Sequence, residues 1–324
     1  MNSGTGSTKK RWLAVAAIIM TTIFWGFSYI STKRLLNSLT PLQVAGGRFL
    51  IASVVLVVVG LVSGRLSKVE RADRPRMFGA AFLGIALYFV FENFGLKLTT
   101  AGMGSLIIAT IPVINAVVAG IFLKQTISGR SWLGVLLSMV GVFMVIRAGS
   151  NFSFNSLWGN LLVLGAAASW VGYTILNQPL TAKYDTLNLN IYQTLVGTIF
   201  LLSLSFGEGH SWPGLNLEII SHIGFLAICC SALAYVFYLY ALKYLGATVV
   251  TTFINFIPVC GVMGGVIFLG EKISVEQLIG GLVIIAGVML VTLSGCGFKR
   301  NNSQKVPSNN EETSVKAAQK AEIA

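Results

Sequence analysis

Residues Ile108 to Lys124 read IATIPVINAVVAGIFLK, and residues Ile254 to Ser274 read INFIPVCGVMGGVIFLGEKIS, the same plan 146 positions later. Matched pairs are Ile108 with Ile254, Ile111 with Ile257, Pro112 with Pro258, Val113 with Val259, Ile121-Phe122-Leu123 with Ile267-Phe268-Leu269, and Ile127-Ser128 with Ile273-Ser274. Each copy carries one proline near the middle of an apolar run. Proline has no amide hydrogen, so the carbonyl four residues earlier, at Ile108 or Ile254, loses its helical donor. Such a carbonyl must find another partner, and in a bilayer that partner is a neighbouring helix, a water-filled cavity or a ligand.

Composition sets the class around these two stretches. The chain is 55% hydrophobic and only 10% charged, with a mean hydropathy of +0.78, whereas soluble globular chains are about a quarter charged. This is an all-α polytopic membrane protein. The net charge of +12 does not indicate nucleic acid, because the basic residues sit in short loops and tails between apolar runs and form no patch interleaved with aromatics. Cys229, Cys230, Cys260 and Cys296 lie in or at the end of apolar runs without metal-ligand spacing, and read as reduced, buried, small hydrophobes.

Hydropathy predicts ten spans: Trp12 to Ile30, Leu42 to Val62, Met77 to Leu96, Ala101 to Leu123, Trp132 to Ile146, Leu157 to Ile175, Leu189 to Phe206, Ile219 to Leu242, Ala247 to Leu269 and Val275 to Ser294. The first follows Lys9-Lys10-Arg11 but lacks a small-residue cleavage site, so it is expected to stay as a helix. Residues 1–11 read as a cytoplasmic tail, 12–149 and 150–296 as two five-helix repeats, and 297–324 as a disordered cytoplasmic tail. With the N-terminus inside, seventeen Lys and Arg fall on the cytoplasmic side. Five, namely Lys33, Arg34, Lys97, Arg147 and Lys272, fall outside, and Arg48 remains within span 2. That bias places both termini in the cytoplasm of a cell-membrane protein.

The duplication reaches further. Trp25 matches Trp170 at an offset of 145, Leu96-Lys97 matches Leu242-Lys243, and Gly134, Gly141 and Val142 match Gly280, Gly287 and Val288. Five spans per copy is an odd number, so the second copy enters the membrane from the opposite side, as an inverted repeat. The two repeats, Trp25-Gly26-Phe27-Ser28, Arg48-Phe49-Leu50, Glu92-Asn93 through Lys97, the proline helices and Leu269-Gly270-Glu271-Lys272-Ile273-Ser274 together resemble the EamA-type branch of the drug/metabolite transporter superfamily, over about residues 12 to 296. The resemblance implies a ten-helix transporter with a central cavity between the halves, lined mainly by spans 1 to 4 and 6 to 9. One departure is visible, since Lys124-Gln125 stands where the second copy has Gly270-Glu271. Glu271 is therefore not half of a symmetric acidic pair.

Arg48 lies seven residues into span 2 from Pro41, roughly 10 Å along a helix, and Glu92 lies five residues before Lys97, roughly 8 Å from that end. The matched depths predict contact between them as an outer-half charge pair or gate, able to exchange partners with substrate or a proton. The plainer reading has Arg48 snorkelling outward and Glu92 neutralised by Lys97 and Asn93. Candidate substrate-binding residues are Trp25, Ser28, Asn115, Trp170, Tyr173, Tyr235, Tyr238 and Asn255, with helix breaks at Pro112 and Pro258. The prolines are expected to face each other across the cavity with both asparagines nearby. Packing, interhelical bonding or interfacial anchoring explains most polar and aromatic groups of this kind; the symmetry of Trp25 and Trp170 raises those two. Gly261 and Gly265 form a GxxxG that argues for close helix packing.

Enzyme chemistry finds no support. His210 and His222 are the two histidines, and there is no HExxH, phosphate loop or acid cluster for a metal. No cofactor is expected. The favoured reading is a secondary transporter, an exporter of an amino acid or related metabolite, working by alternating access and driven by a gradient or by exchange; Glu92 permits proton coupling. The alternative is a non-transporting membrane interaction or sensory subunit with the same fold. Partners are a small-molecule substrate and the lipid bilayer, with a homodimer left open. The topology predicts that cysteines placed at Ser67 and Ser303, in a background lacking the native cysteines, label from the cytoplasmic side only. Efficient external labelling at either would reject the orientation.

Overall fold

The computed structural model describes residues 3–121, 128–149, 154–208, 214 and 216–293. His210, Cys296, Lys124-Gln125 and the tail 297–324 lie outside the described residues. Helices α1 (Ser3–Leu35) and α2 (Pro41–Ser63) are followed by the helical run α3 (Arg71–Leu98) and by α4 (Ala101–Ile108), α5 (Ile111–Ile121) and α6 (Gly129–Gly149). The second copy supplies α7 (Phe154–Lys183), α8 (Thr186–Gly207), α9 (Leu217–Leu245), α10 (Ala247–Ile254), α11 (Ile257–Leu269) and α12 (Val275–Leu293). Among the described residues there is no strand. Among the described residues, seven helical runs are long and apolar enough to cross a membrane, and three shorter apolar helices accompany them.

Several boundaries run past the hydropathy edges, each for a local reason. Helix α1 begins at Ser3 and continues past Ile30 to Leu35. Its last turn survives because Lys33 Nζ donates to the carbonyls of Leu96 (2.7 Å) and Thr99 (2.6 Å), and Arg34 donates to the Phe268 carbonyl (2.7 Å). Cations at helix C-termini satisfy carbonyls and complement the dipole. Lys33, expected as an outer surface charge, is thus a structural tie. Helix α7 extends through Pro179 to Lys183. Cys229, Cys230 and Cys260 are all free; Cys230 is buried, while Cys229 and Cys260 are only half-buried, which corrects the expectation that all are enclosed.

The copies interleave. Helix α2 packs on α8, α6 on α12, α1 on α9, and α7 on α3. Ser53 and Thr198, 145 positions apart, hydrogen-bond to each other at 2.8 Å between α2 and α8. The matched glycines permit the α6–α12 contact: a Cβ on Gly141 would lie 2.7 Å from the Gly280 carbonyl oxygen, and one on Gly287 would lie 2.6 Å from that of Gly134. Small residues let backbones approach this closely. Gly261 and Gly265 serve the packing of α11 on α4, where added Cβ atoms would meet Ser105 and the Glu271 carboxylate.

Two ties join the copies near the helix ends. Gly270, in the left-handed conformation (φ 66°), ends α11 and turns the chain into Glu271. The Glu271 carboxylate accepts from the amides of Ala101 (2.7 Å) and Gly102 (2.9 Å), capping α4 in the other copy. At another point, Lys183 pairs with Glu70 and with Asp73 (2.7 Å), the Tyr184 hydroxyl donates to Asp73 (2.7 Å), and Asn188 bonds Ser67. Glu271→Ala is expected to destabilise the protein by about 2 kcal/mol through loss of two charge-assisted bonds. The exposed neighbour change Lys272→Ala should stay within about 0.5 kcal/mol. Thermal unfolding in detergent micelles measures both, and equal losses would deny the cap its role.

Candidate functional site: an aromatic cavity between the two copies

Both proline stretches are broken, and the breaks face one space. Helix α4 ends at Ile108 and α5 starts at Ile111; α10 ends at Ile254 and α11 starts at Ile257. Proline at the second position of α5 and α11 tolerates its missing hydrogen there, because first-turn amides have no helical acceptor. A tight turn closes each break in the same way, with the Thr110 amide donating to Ile107 and the Phe256 amide to Phe253, both at 3.0 Å. Ile108, Ile111, Ile254 and Ile257 line a cavity of about 370 Å³. The expectation that the prolines confront each other across it needs correction. The flanking isoleucines form the wall, and neither Pro112, Pro258, Asn115 nor Asn255 is among its lining residues. The side-chain oxygens of both asparagines are buried without a partner.

The rest of the wall is aromatic and charged. Trp25, Ser28, Tyr29, Arg48, Tyr88, Phe89 and Glu92 come from the first copy, and Trp170 and Tyr235 from the second. Trp25 and Trp170 meet edge to face, with centroids 5.0 Å apart at 84°. Tyr235 packs against both, at 5.8 and 5.6 Å. Each such contact contributes about 0.5–1.5 kcal/mol beyond area burial, so the box is rigid. Tyr173 and Tyr238 belong to a layer behind it: Tyr173 packs on Trp170 in a tilted contact at 4.7 Å, and the Tyr238 hydroxyl bonds Thr174 at 2.7 Å. Neither lines the cavity.

Arg48 and Glu92 share the cavity but are not an ion pair within 4.0 Å, which corrects the expected contact. Arg48, 1% exposed, does not snorkel. Its Nε donates to Ser231 at 2.9 Å, and its guanidinium carbon sits 4.4 Å from the Phe89 ring centroid. A cation over an aromatic face in a desolvated site gains about 2 kcal/mol. Glu92, 4% exposed, accepts from the Tyr88 hydroxyl at 2.8 Å. Its expected neutralisers serve elsewhere: Asn93 donates to the Pro41 carbonyl at 3.0 Å, and Lys97 is exposed. Each charge is thus held by its own partner.

Two wide helical turns position these groups. Residues Phe82–Leu87 of α3 and Leu226–Leu233 of α9 are π-helical, an irregularity that frequently accompanies functional sites. Carbonyls in them anchor the aromatic box: Cys230 accepts from the Trp25 indole and Gly84 from the Tyr235 hydroxyl, both at 3.0 Å. Ser231, the partner of Arg48, lies in the same turn of α9.

Sequence reasoning missed Tyr29, Tyr88, Phe89 and Ser231. Tyr88 had a usable signal, since it stands four residues before Glu92 on one helix face. Phe89 stands 146 positions before Tyr235, as its repeat counterpart. The π-helical turns carry no proline or glycine pattern that marks them. Among the described residues no group of three or more His, Cys, Asp or Glu is placed to hold a metal.

Known proteins agree on what this arrangement belongs to. A relative from Archaeoglobus fulgidus named as an uncharacterized transporter is 31% identical over 278 residues, covering 85% of this chain and 96% of its own. A protein of Streptantibioticus cattleyicolor named as a probable terminal-alkyne amino-acid exporter is 27% identical, over 90% of this chain and 97% of its own. One crystal structure shares the fold at a TM-score of 0.64 and 17% identity, covering 86% of this chain and 96% of that one. The profile of the EamA-like transporter family matches twice, over residues 12–147 and 157–293. A membrane protein whose two copies each match that profile and jointly enclose the cavity, this chain belongs to the EamA-like transporter family.

Proposed function

We propose that this chain is a secondary transporter that exports an amino acid or closely related zwitterion, binding it in the aromatic cavity between the two copies. The observation that carries the proposal is the pair of buried opposite charges, Arg48 and Glu92, on one cavity wall without an ion pair between them. Burying each charge costs several kcal/mol on transfer from water, so a bundle that only packed would neutralise them directly. A zwitterion supplies both counter-charges. Its carboxylate meets the Arg48 guanidinium in a charge-assisted contact. Its ammonium meets Glu92, with the faces of Trp25 and Trp170 available for cation–π attraction. The exporter name of one relative is of the same chemical class.

Ten spans in two five-helix halves of opposite orientation supply the mechanism. The broken helices let each half change its angle at Ala109-Thr110 or Asn255-Phe256 without tearing a continuous hydrogen-bond ladder, opening the cavity first to one side and then to the other. The positive-inside bias supports an orientation in the cell membrane with both termini facing the cytoplasm. Glu92, bonded to Tyr88, can exchange a proton for the substrate ammonium during this cycle.

Arg48→Gln and Glu92→Gln should each lower affinity for the transported compound at least tenfold, while Lys272→Gln, on an exposed side chain, should not. Binding is read by thermal shift across the twenty L-amino acids and then by counterflow in proteoliposomes. Unchanged binding in both charge variants would remove the zwitterion site. The double variant Pro112→Ala plus Pro258→Ala restores a helical donor at each break. It should slow counterflow while leaving affinity in place, and wild-type flux would reduce the breaks to packing kinks.

A further inference from the structure

The two tryptophans are counterparts, yet only one has its indole satisfied. Trp25 Nε1 donates to the Cys230 carbonyl at 3.0 Å. The counterpart of Cys230, 146 positions earlier, is Gly84, so the equivalent bond would run from Trp170 Nε1 to the Gly84 carbonyl. That carbonyl accepts from the Tyr235 hydroxyl at 3.0 Å, and the Trp170 indole makes no bond to it. The first copy has no equivalent competitor, because Phe89 stands at the matching position and carries no hydroxyl. Trp170 Nε1 is left buried without a hydrogen-bond partner. No bond of acceptable geometry joins the indole to the nearby Tyr238 hydroxyl, which pairs with Thr174 at 2.7 Å. Trp170 is a cavity-lining residue.

We infer that the Trp170 indole N–H is kept free by Tyr235 in order to donate to an acceptor oxygen of the transported compound. Tyr235 is then a positioning residue and Trp170 a specificity-determining one. This rests on reading the cavity as the substrate site. A buried donor left without an acceptor is costly, and an ordered water can hold it until a substrate oxygen replaces that water. The asymmetry matters because a symmetric cavity would have both indoles satisfied by protein and would offer neither to a ligand. One hydroxyl, present in the second copy and absent from the first, converts a structural bond into a binding group.

The test uses full-length protein in detergent micelles with 15N-labelled tryptophan. The Trp170 indole resonance is assigned by its loss in Trp170→Phe. In the wild type its proton is expected upfield of that of Trp25, and Tyr235→Phe should move it downfield as it falls onto the released Gly84 carbonyl. A Trp170 proton that already matches Trp25, or that ignores Tyr235→Phe, overturns the inference. A thermal shift with each of the twenty L-amino acids at millimolar concentration gives the second arm. Any that binds the wild type should bind Tyr235→Phe and Trp170→Phe roughly threefold to tenfold more weakly, and the double variant no worse than Trp170→Phe. Unchanged affinity in both single variants overturns the substrate role. If none of the twenty binds the wild type, the amino-acid reading fails separately, and the indole shift alone decides this inference.

Discussion

Every backbone polar group in this bundle has to be satisfied without bulk water, and that constraint organises the rest. Proline at 112 and 258 withdraws one donor from each copy, so the chain breaks there and the flanking isoleucines end up on a shared cavity between the copies. Helix ends obey the same rule by borrowing side chains from elsewhere. Glu271 serves the amides that open α4, and Lys33 serves the carbonyls that close α3. Charges that a hydropathy profile assigns to the surface are therefore spent on helix termini. Their distribution follows where α-helices stop rather than where water begins.

Duplication and asymmetry divide the cavity between them. The apolar frame is paired: Trp25 with Trp170, Phe89 with Tyr235, Ile108 with Ile254 and Ile111 with Ile257 all line the wall from both copies. The polar groups are not. Arg48, Glu92, Tyr88, Tyr29 and Ser28 come from the first copy, and their counterparts are Gln193, Tyr238, Ala234, Thr174 and Tyr173, none of which lines the cavity. Gln193 instead donates to Asn177 at 2.6 Å in the bundle interior. The two copies thus share an apolar frame, while both wall charges belong to the first copy alone.

The fold was largely legible because its determinants are periodic or duplicated. Apolar runs of spanning length, matched prolines and matched glycines predict helices, their breaks and the close approach of α6 to α12. The site was less so. Arg48 and Glu92 were visible as charges in apolar runs, and Trp25 and Trp170 as repeat counterparts. Linear depth, however, places two residues along the helix axis and says nothing about azimuth, which is why contact between the charges was expected and separate partners were found. Asn115 and Asn255 sit beside the breaks in sequence but are not among the residues that line the cavity. The π-helical turns were illegible, since widening a helix by one residue per turn needs neither proline nor glycine and leaves no compositional mark.

The ties between the copies differ in strength according to what surrounds them. Lys183, Glu70 and Asp73 make short ion pairs, but Lys183 and Glu70 remain substantially exposed, at 44% and 62% of their side-chain surface. Water and salt compete for such pairs and leave them individually weak. The bonds from Glu271 run to backbone amides at a helix N-terminus, where the charge also meets the positive end of the dipole, and a Cβ on Gly265 would fall 2.5 Å from its oxygen. Close packing of that kind excludes the competing water. The contact at Lys183 is thus the weaker tie between the copies, and the α4–α11 contact, where Glu271 caps its neighbour, is the stronger.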